Sequence, residues 1–382
     1  MALNQEPVVQ KKIPFLDLRV ESDAERKELL SAIEQVLVHG RFILGPEVAE
    51  LEKRVAAFCG RTYAVGVGSG TDALFLSLRC LGIGPGDEVI TTSLSWIATA
   101  NAIALTGATP VFADIGDDLN IDPASVEALV TPRTKALIPV HFTGKMCNME
   151  ALLTIADHHG LAVVEDAAQS FGASLAGRMS GSFGVLAALS LNPMKVFASC
   201  GEAGMVLTDR ADLYERMLAL RYNGMIDRRE CIMPSLNGRL DTIQAAILLH
   251  RLTRLEDVIE KRRMHAAQYN KMLSQVVDVP TEHPEERAVY YTYTIKADQR
   301  DELQVFLEER GVETQIQHPI LMPNQPAYRG WTRGMWSNAE RLLSRVLCLP
   351  VHEKLAPEDL RYISNAVLAF YGEHLSAVRP GG

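Results

Sequence analysis

A carboxylate, a lysine amine and a turn of exposed backbone amides follow one another in this sequence in an arrangement that could serve one chemistry. The apolar run LAVVED ends in two carboxylates, Glu165 and Asp166, at the kind of strand end where α/β sheets gather their sites. A carboxylate there calls for a cation, and it would equally cap the small helix-forming residues that follow. Lys195 stands 29 positions beyond Asp166, in SLNPMKVFASCGEAG, between an apolar strand pattern and a glycine-containing turn. Alone it reads as a solvated loop cation, because lysine is seldom buried without a task. The third piece is VGSGTDALFLSL, in which Gly68, Ser69 and Gly70 close a strand and Thr71 opens a helix with Leu74 and Leu78 on its apolar face. Amides exposed at a helix start favour an anion; glycine-bearing strand-to-helix turns are also common without one. Together the three pieces meet the needs of a phosphorylated pyridine cofactor: an amine to form an imine, an acid to keep the ring nitrogen protonated, and a cradle for the phosphate.

Such groups need a rigid frame, and the hydrophobic pattern supplies one. Short apolar runs, YAVGVGS, DEVITT, TPVFADI, KALIPVHF and LAVVED, alternate with helical segments starting near Thr71, Ala98 and Met149. This predicts a mainly parallel sheet sandwiched by helices. Before it, residues 13–60 read as a lead-in arm with helices over 24–38 and 48–58. After it come two more strand-like runs, GVLAALSL and AGMVLTD, then one long helical pattern over 240–273 that would bridge two units. AVYYTYTIKA, a helix over 300–310 and a last helix over 357–371 predict a smaller C-terminal α+β domain. The expected division is 1–255 for the arm and large domain and 256–382 for the small one.

With 382 residues, of which 47% are apolar, the chain can bury two cores. Its net charge of -9, spread without a basic block, speaks against a nucleic acid polymer as partner. The six cysteines (Cys59, Cys80, Cys147, Cys200, Cys231, Cys348) lack CxxC spacing, which predicts no metal site and suits a reducing cytoplasm. The opening MALNQEPVVQKK puts its lysines after the apolar stretch, the reverse of a secretory signal. No run of about 18 uninterrupted apolar residues suggests a membrane span.

The ordered series HGRFILGPEVAELE, SGTDAL, GIGPGDEVI, TPRTKALIPVH, VVEDAAQSFGA, SLNPMKVFASCGEAG and NGRLDTIQAAIL resembles the DegT/DnrJ/EryC1/StrS sugar aminotransferases over nearly the whole chain. Those are fold-type I enzymes that use pyridoxal 5'-phosphate. The resemblance implies that Lys195 carries the cofactor as a Schiff base and shuttles the proton between the two carbons flanking nitrogen. It implies that Asp166 pairs with the ring nitrogen, that Gln169 lies near the ring hydroxyl, and that Ser190 joins the amides of Gly70 and Thr71 on the phosphate. Trp96 would stack on the ring, core packing being the alternative. Asn237 and Arg239 would reach across a homodimer interface, the first to the phosphate and the second to the substrate; an ion pair with Asp241 is the other reading of Arg239.

Two departures stand out. The turn after the lysine reads GEAG, with Ala203 where relatives carry glycine, and Gln317, His318 and Pro319 stand where relatives often have His-Tyr-Pro. Gln317 and His318 are candidate substrate contacts. The resemblance implies amino transfer from L-glutamate to a nucleotide-linked keto-sugar, and the aliphatic pair Ile43 and Leu44 before GPE, which resembles that of members acting at C3, leans toward a 3-keto over a 4-keto substrate. The rivals are a keto-sugar dehydratase, against which Lys195 argues because that branch has histidine there, and a non-catalytic sensor of the same fold. A dehydrogenase would need a GxGxxG turn, which SGTDAL does not supply.

Overall fold

The computed structural model describes residues 12–331 and 334–377, so the first eleven residues, which carry most of the leader reading, and the last five lie outside the described residues. Seven strands make the central sheet: β1 (Tyr63–Val67), β2 (Glu88–Thr92), β3 (Thr109–Ala113), β4 (Thr134–Ile138), β5 (Ala162–Asp166), β6 (Leu186–Ser190) and β7 (Gly204–Thr208). All fall on runs expected from the sequence. Their order is β1-β7-β6-β5-β4-β2-β3, parallel except for β7, which runs antiparallel to both neighbours. The reason is local. Parallel neighbours need a helical crossover, whereas residues 191–203 return from β6 to β7 without a helix, and that return loop carries Lys195.

Both faces of the sheet are buried, with side chains alternating between them. Ile90, Leu137, Val163, Ala187 and Leu207 pack on one side under helices α2 (Pro46–Phe58), α6 (Met149–His159) and α8 (Thr242–Leu252). Val89, Ala136, Val164, Ala188 and Val206 pack on the other under α3 (Gly70–Cys80), α4 (Ala98–Leu105) and α7 (Ala211–Leu220). The arm helix α1 (Asp23–His39) lies against α8, and the short α5 (Pro123–Leu129) against α6.

The pattern read as one helix over 240–273 is two, α8 and α9 (Leu255–Leu273). The break falls at Thr253, whose hydroxyl bonds the His250 carbonyl, and at Arg254, which leaves the helical region at φ -112° and ψ 1°. Along α9, Leu255 and Ile259 belong to the sheet core and Ala266, Tyr269 and Leu273 to a second core. That second core is closed by an antiparallel pair, β8 (Tyr293–Lys296) and β9 (Val346–Leu349), and by α10 (Arg300–Glu308) and α12 (Pro357–Ala377), with α11 (Ser337–Leu343) packed beside it. Ile13 is buried in this core too and pairs with Val312.

Only the latter half of AVYYTYTIKA is strand. Residues 288–292 instead run along the large unit, where the Val289 amide donates to Gly144 O (3.0 Å) and the Thr292 amide to Thr143 O (3.3 Å). Among the described residues no helix is long and apolar enough to cross a membrane.

Candidate active site

A cleft of about 1030 Å³ opens at the carboxyl ends of β5 and β6, walled on its far side by the segments around Tyr291, Gln317–Ile320 and His352. Gly70, Thr71, Trp96, Asp166, Gln169, Ser190, Lys195, Gln317 and His318 all line it. Asn237 and Arg239 do not.

Strand parity separates the two carboxylates that end β5. Glu165 turns away from the cleft, where it accepts from the amides of Gly181 (2.9 Å), Phe183 (2.6 Å) and Gly184 (2.8 Å) and lies 3.1 Å from His141 Nε2. His141 Nδ1 takes the Cys147 amide, which leaves Nε2 as the protonated, donating nitrogen. Burial works to raise the Glu165 carboxyl, but His141 and the amides outweigh it and hold Glu165 below the ordinary range. Asp166 faces the cleft, 3% exposed, with Oδ2 accepting from the Thr99 hydroxyl (2.8 Å) and Oδ1 from the Ala168 amide (3.2 Å). Here burial wins, and the carboxyl is raised in spite of those bonds and the charge of Lys195. A buried carboxylate with this balance gains from a cation placed against it.

Lys195 projects from the return loop, whose turn is closed by its own amide on Asn192 O (2.9 Å). Its Nζ reaches the Tyr291 hydroxyl at 3.5 Å and sits 4.5 Å from the centre of the Tyr291 ring. Neither Tyr291 nor Thr99 was singled out from the sequence. Thr99 is one hydroxyl among many in a helix start, and Tyr291 lies in a run that reads as strand.

At the other edge, α3 begins against the end of β6. Ser69 caps the helix through the Asp72 amide (3.0 Å), and a Cβ on Gly70 would come within 2.6 Å of Ser190 Cβ. Only glycine lets the helix amides and the Ser190 hydroxyl share this corner. Gly204 is equally constrained, since a Cβ there would lie 2.2 Å from Ser69 O. The Ala203 that replaces a family glycine is buried without strain, as its φ is not positive. Gln169 is held by the Thr143 amide on its Oε1 (2.9 Å).

Trp96 is 61% exposed, so it faces the cleft and is not core; its ring lies 5.7 Å from that of His318. The imidazole is flanked on its other side by Phe142 at 5.8 Å, and its Nε2 is buried without a hydrogen-bond partner. Burial, then the charge of Lys195, push His318 down to about 4, so it is neutral at physiological pH. Gln317 is buried, its Oε1 accepting from the Cys348 thiol at 3.9 Å. Asn237 is exposed and accepts from Arg239 Nε (2.7 Å), while the guanidinium of Arg239 stacks 4.6 Å over Tyr222 in place of an ion pair with Asp241.

Residues 23–368 match the DegT/DnrJ/EryC1/StrS aminotransferase family. The chain belongs to this family. It is an aminotransferase whose cofactor is pyridoxal 5'-phosphate. Among the relatives of this DegT-family chain, the dTDP-3-amino-3,4,6-trideoxy-alpha-D-glucose transaminase of Streptomyces venezuelae is 41% identical, over 92% of this chain and 94% of that one. A pleiotropic regulatory protein of Geobacillus stearothermophilus is 40% identical, over 94% and 98%. The crystal structure of S. venezuelae DesV in complex with a ketimine intermediate superposes with a TM-score of 0.92 at 39% identity, covering 97% of this chain and 100% of that one. The corner at Gly70, open only because no Cβ fills it, and the buried Asp166 suit the phosphate and the ring nitrogen of the family's cofactor.

Proposed function

We propose that this enzyme transfers an amino group from L-glutamate to the C3 ketone of a nucleotide-linked sugar, working in the cytoplasm as a homodimer. The observation that carries the reading is the convergence of Lys195, Asp166 and the Gly70–Ser190 corner on one cleft. The transaminase relative, named for a 3-amino sugar, supports the substrate class. Ile43 and Leu44 add the lean toward a 3-keto group through sequence alone: Ile43 is exposed and bridges to Asp241, and neither residue lines the cleft of its own chain.

When bound, pyridoxal phosphate supplies an electron sink that lets the donor's α-hydrogen leave as a proton. Asp166 would hold the ring nitrogen protonated, Gln169 the ring hydroxyl, and Ser190 with the Gly70 and Thr71 amides the phosphate. Trp96 would cover the ring. Lys195 Nζ, as free amine, would take the α-proton and, as ammonium, return it to the neighbouring carbon; water would then supply the keto oxygen as the donor leaves as a 2-oxo acid, its nitrogen staying with the cofactor, and the same residues would run the steps in reverse to aminate the sugar, releasing that water. The large unit, taken to residue 255, holds the cofactor, and Gln317 and His318 of the remainder contact the sugar. Asn237 and Arg239 serve the partner's cleft, which accords with their absence from their own.

A binding or regulatory role without turnover is the second reading, favoured by the name of the Geobacillus relative. Purified protein loaded with pyridoxal phosphate should change its long-wavelength absorbance on adding glutamate, and it should aminate 3-keto UDP- or dTDP-sugars ahead of 4-keto ones. Exclusive use of 4-keto sugars would refute the C3 assignment, and no response to glutamate would favour the regulatory reading.

A further inference from the structure

We infer that Tyr291 is a further catalytic residue, whose hydroxyl accepts a hydrogen bond from the Lys195 ammonium and whose ring face holds that amine in the cleft while it carries the proton. The inference rests on Lys195 being the proton-carrying amine proposed above.

Two contacts of different kinds join the pair. The hydroxyl lies 3.5 Å from Nζ, at the long end of hydrogen bonding, and the ring centre lies 4.5 Å from it, within range of a cation–π attraction. Both strengthen when the amine gains a proton, the state in which it must wait before giving that proton back. Among the described residues Tyr291 is the side chain to which Lys195 hydrogen-bonds. Asp166, His318, Glu202 and Arg262 also border the cleft. Asp166 is engaged by Thr99 and Ala168, and Arg262 by Glu353.

The backbone that presents Tyr291 is fixed from both units. Tyr290 takes a left-handed conformation (φ 48°), uncommon for an aromatic residue. Buried Arg262 donates to the carbonyls of Tyr290 (3.3 Å) and Tyr291 (3.4 Å), and Glu353 accepts from Arg262 at 3.1 Å. On the opposite side the segment lies on Gly144, where a Cβ would come within 2.8 Å of the Tyr291 amide nitrogen. A strained turn held by a buried arginine and a glycine floor is a device for aiming one side chain, and the side chain it aims meets Lys195.

The test uses cofactor-loaded holoenzyme. Tyr291→Phe keeps the ring face and removes the acceptor. It should lower kcat about tenfold with the glutamate KM changed less than about twofold, and raise the primary isotope effect with α-deuterated glutamate. Losing an acceptor for the protonated nitrogen should also move the midpoint of the pH-dependent long-wavelength absorbance change to lower pH. Tyr291→Leu, which removes the ring as well, should lose more, with the melting temperature of both variants near that of the parent. A Tyr291→Phe enzyme with unchanged kcat, isotope effect and absorbance midpoint overturns the inference. A Lys195→Ala protein that keeps the long-wavelength band and its turnover overturns instead the reading of Lys195, and this inference with it.

Discussion

At the sheet end of the cleft Asp166 and Gln169 sit on or just beyond β5 with satisfied hydrogen bonds, and Gly70 and Ser190 meet where a helix start abuts a strand end. At the far end Tyr290 (φ 48°) and His318 (φ 56°) hold left-handed backbone angles, and His318 Nε2 is buried unpaired. The first set is anchored by elements that are mostly buried, so its geometry is set before any ligand arrives. The second is carried on loops, and its strain and unpaired nitrogen are costs that a ligand contact can offset. The contrast teaches that one wall of the cleft is fixed by regular elements and their hydrogen bonds, whereas the facing wall is carried by irregular segments that hold strain.

The comparison can be broken most forcefully at Asp166. Asp166→Asn keeps the shape and the oxygen that accepts from Ala168, obliges the Thr99 hydroxyl to turn and accept from Nδ2, and removes the charge, and kcat should fall about 100-fold or more, the equivalent of roughly 3 kcal/mol in the barrier. Stability should move the other way. Burial raises the folded-state pKa of Asp166, so in cofactor-free protein the charged form costs stability that grows as pH rises above the unfolded value. The asparagine variant should therefore melt at the same or a higher temperature at pH 7. A clear drop in the melting temperature of the cofactor-free variant would mean that the carboxylate is structural.

Gly70→Ala probes the same end through packing alone, since the added methyl meets Ser190 at 2.6 Å. Overpacking of this kind costs about 1–3 kcal/mol, and because the displaced groups form the proposed phosphate corner, cofactor affinity measured by equilibrium titration should weaken about tenfold or more. Unchanged affinity would remove the corner from the cofactor site.

The smallest effect belongs to the loop end. His318→Asn suits a left-handed position and should raise the sugar KM several-fold while leaving that for glutamate alone. It should also flatten the acid limb of stability. His318 titrates near 6.5 when unfolded and at about 4 when folded, so the unfolded state binds the extra proton between those values; stability is full above the upper one and is lost as pH falls toward the lower. Thermal melts of cofactor-free protein from pH 7 to pH 4 should show a shallower decline for the variant, and identical slopes would place His318 in contact with water.

Much of this was legible in the residues. Each of the seven sheet strands is a short apolar run, and such a run declares its burial locally. The glycines of SGTDAL and GEAG declare a close approach without naming the partner. The long helix over 240–273 was misread because apolar periodicity runs straight through Thr253, and the break there depends on the side chain bonding back to its own helix. AVYYTYTIKA looked like one strand because β-branched and aromatic residues favour extended structure, whereas its first half is held by Arg262 and residues 143–144 of another unit.

The sequence by itself determined the strands and most of the helices, and named Lys195 and Asp166 as candidates, because periodicity, turn chemistry and residue type act over a few neighbours. Only the tertiary structure decided that Glu165 is tied to His141 and the amides of residues 181, 183 and 184, that Tyr291 meets Lys195 from 96 residues away, and that the proton affinity of His318 is lowered. Those outcomes depend on which distant groups exclude water from a side chain and which charges are brought beside it, and such contacts exist only once the chain has closed on itself.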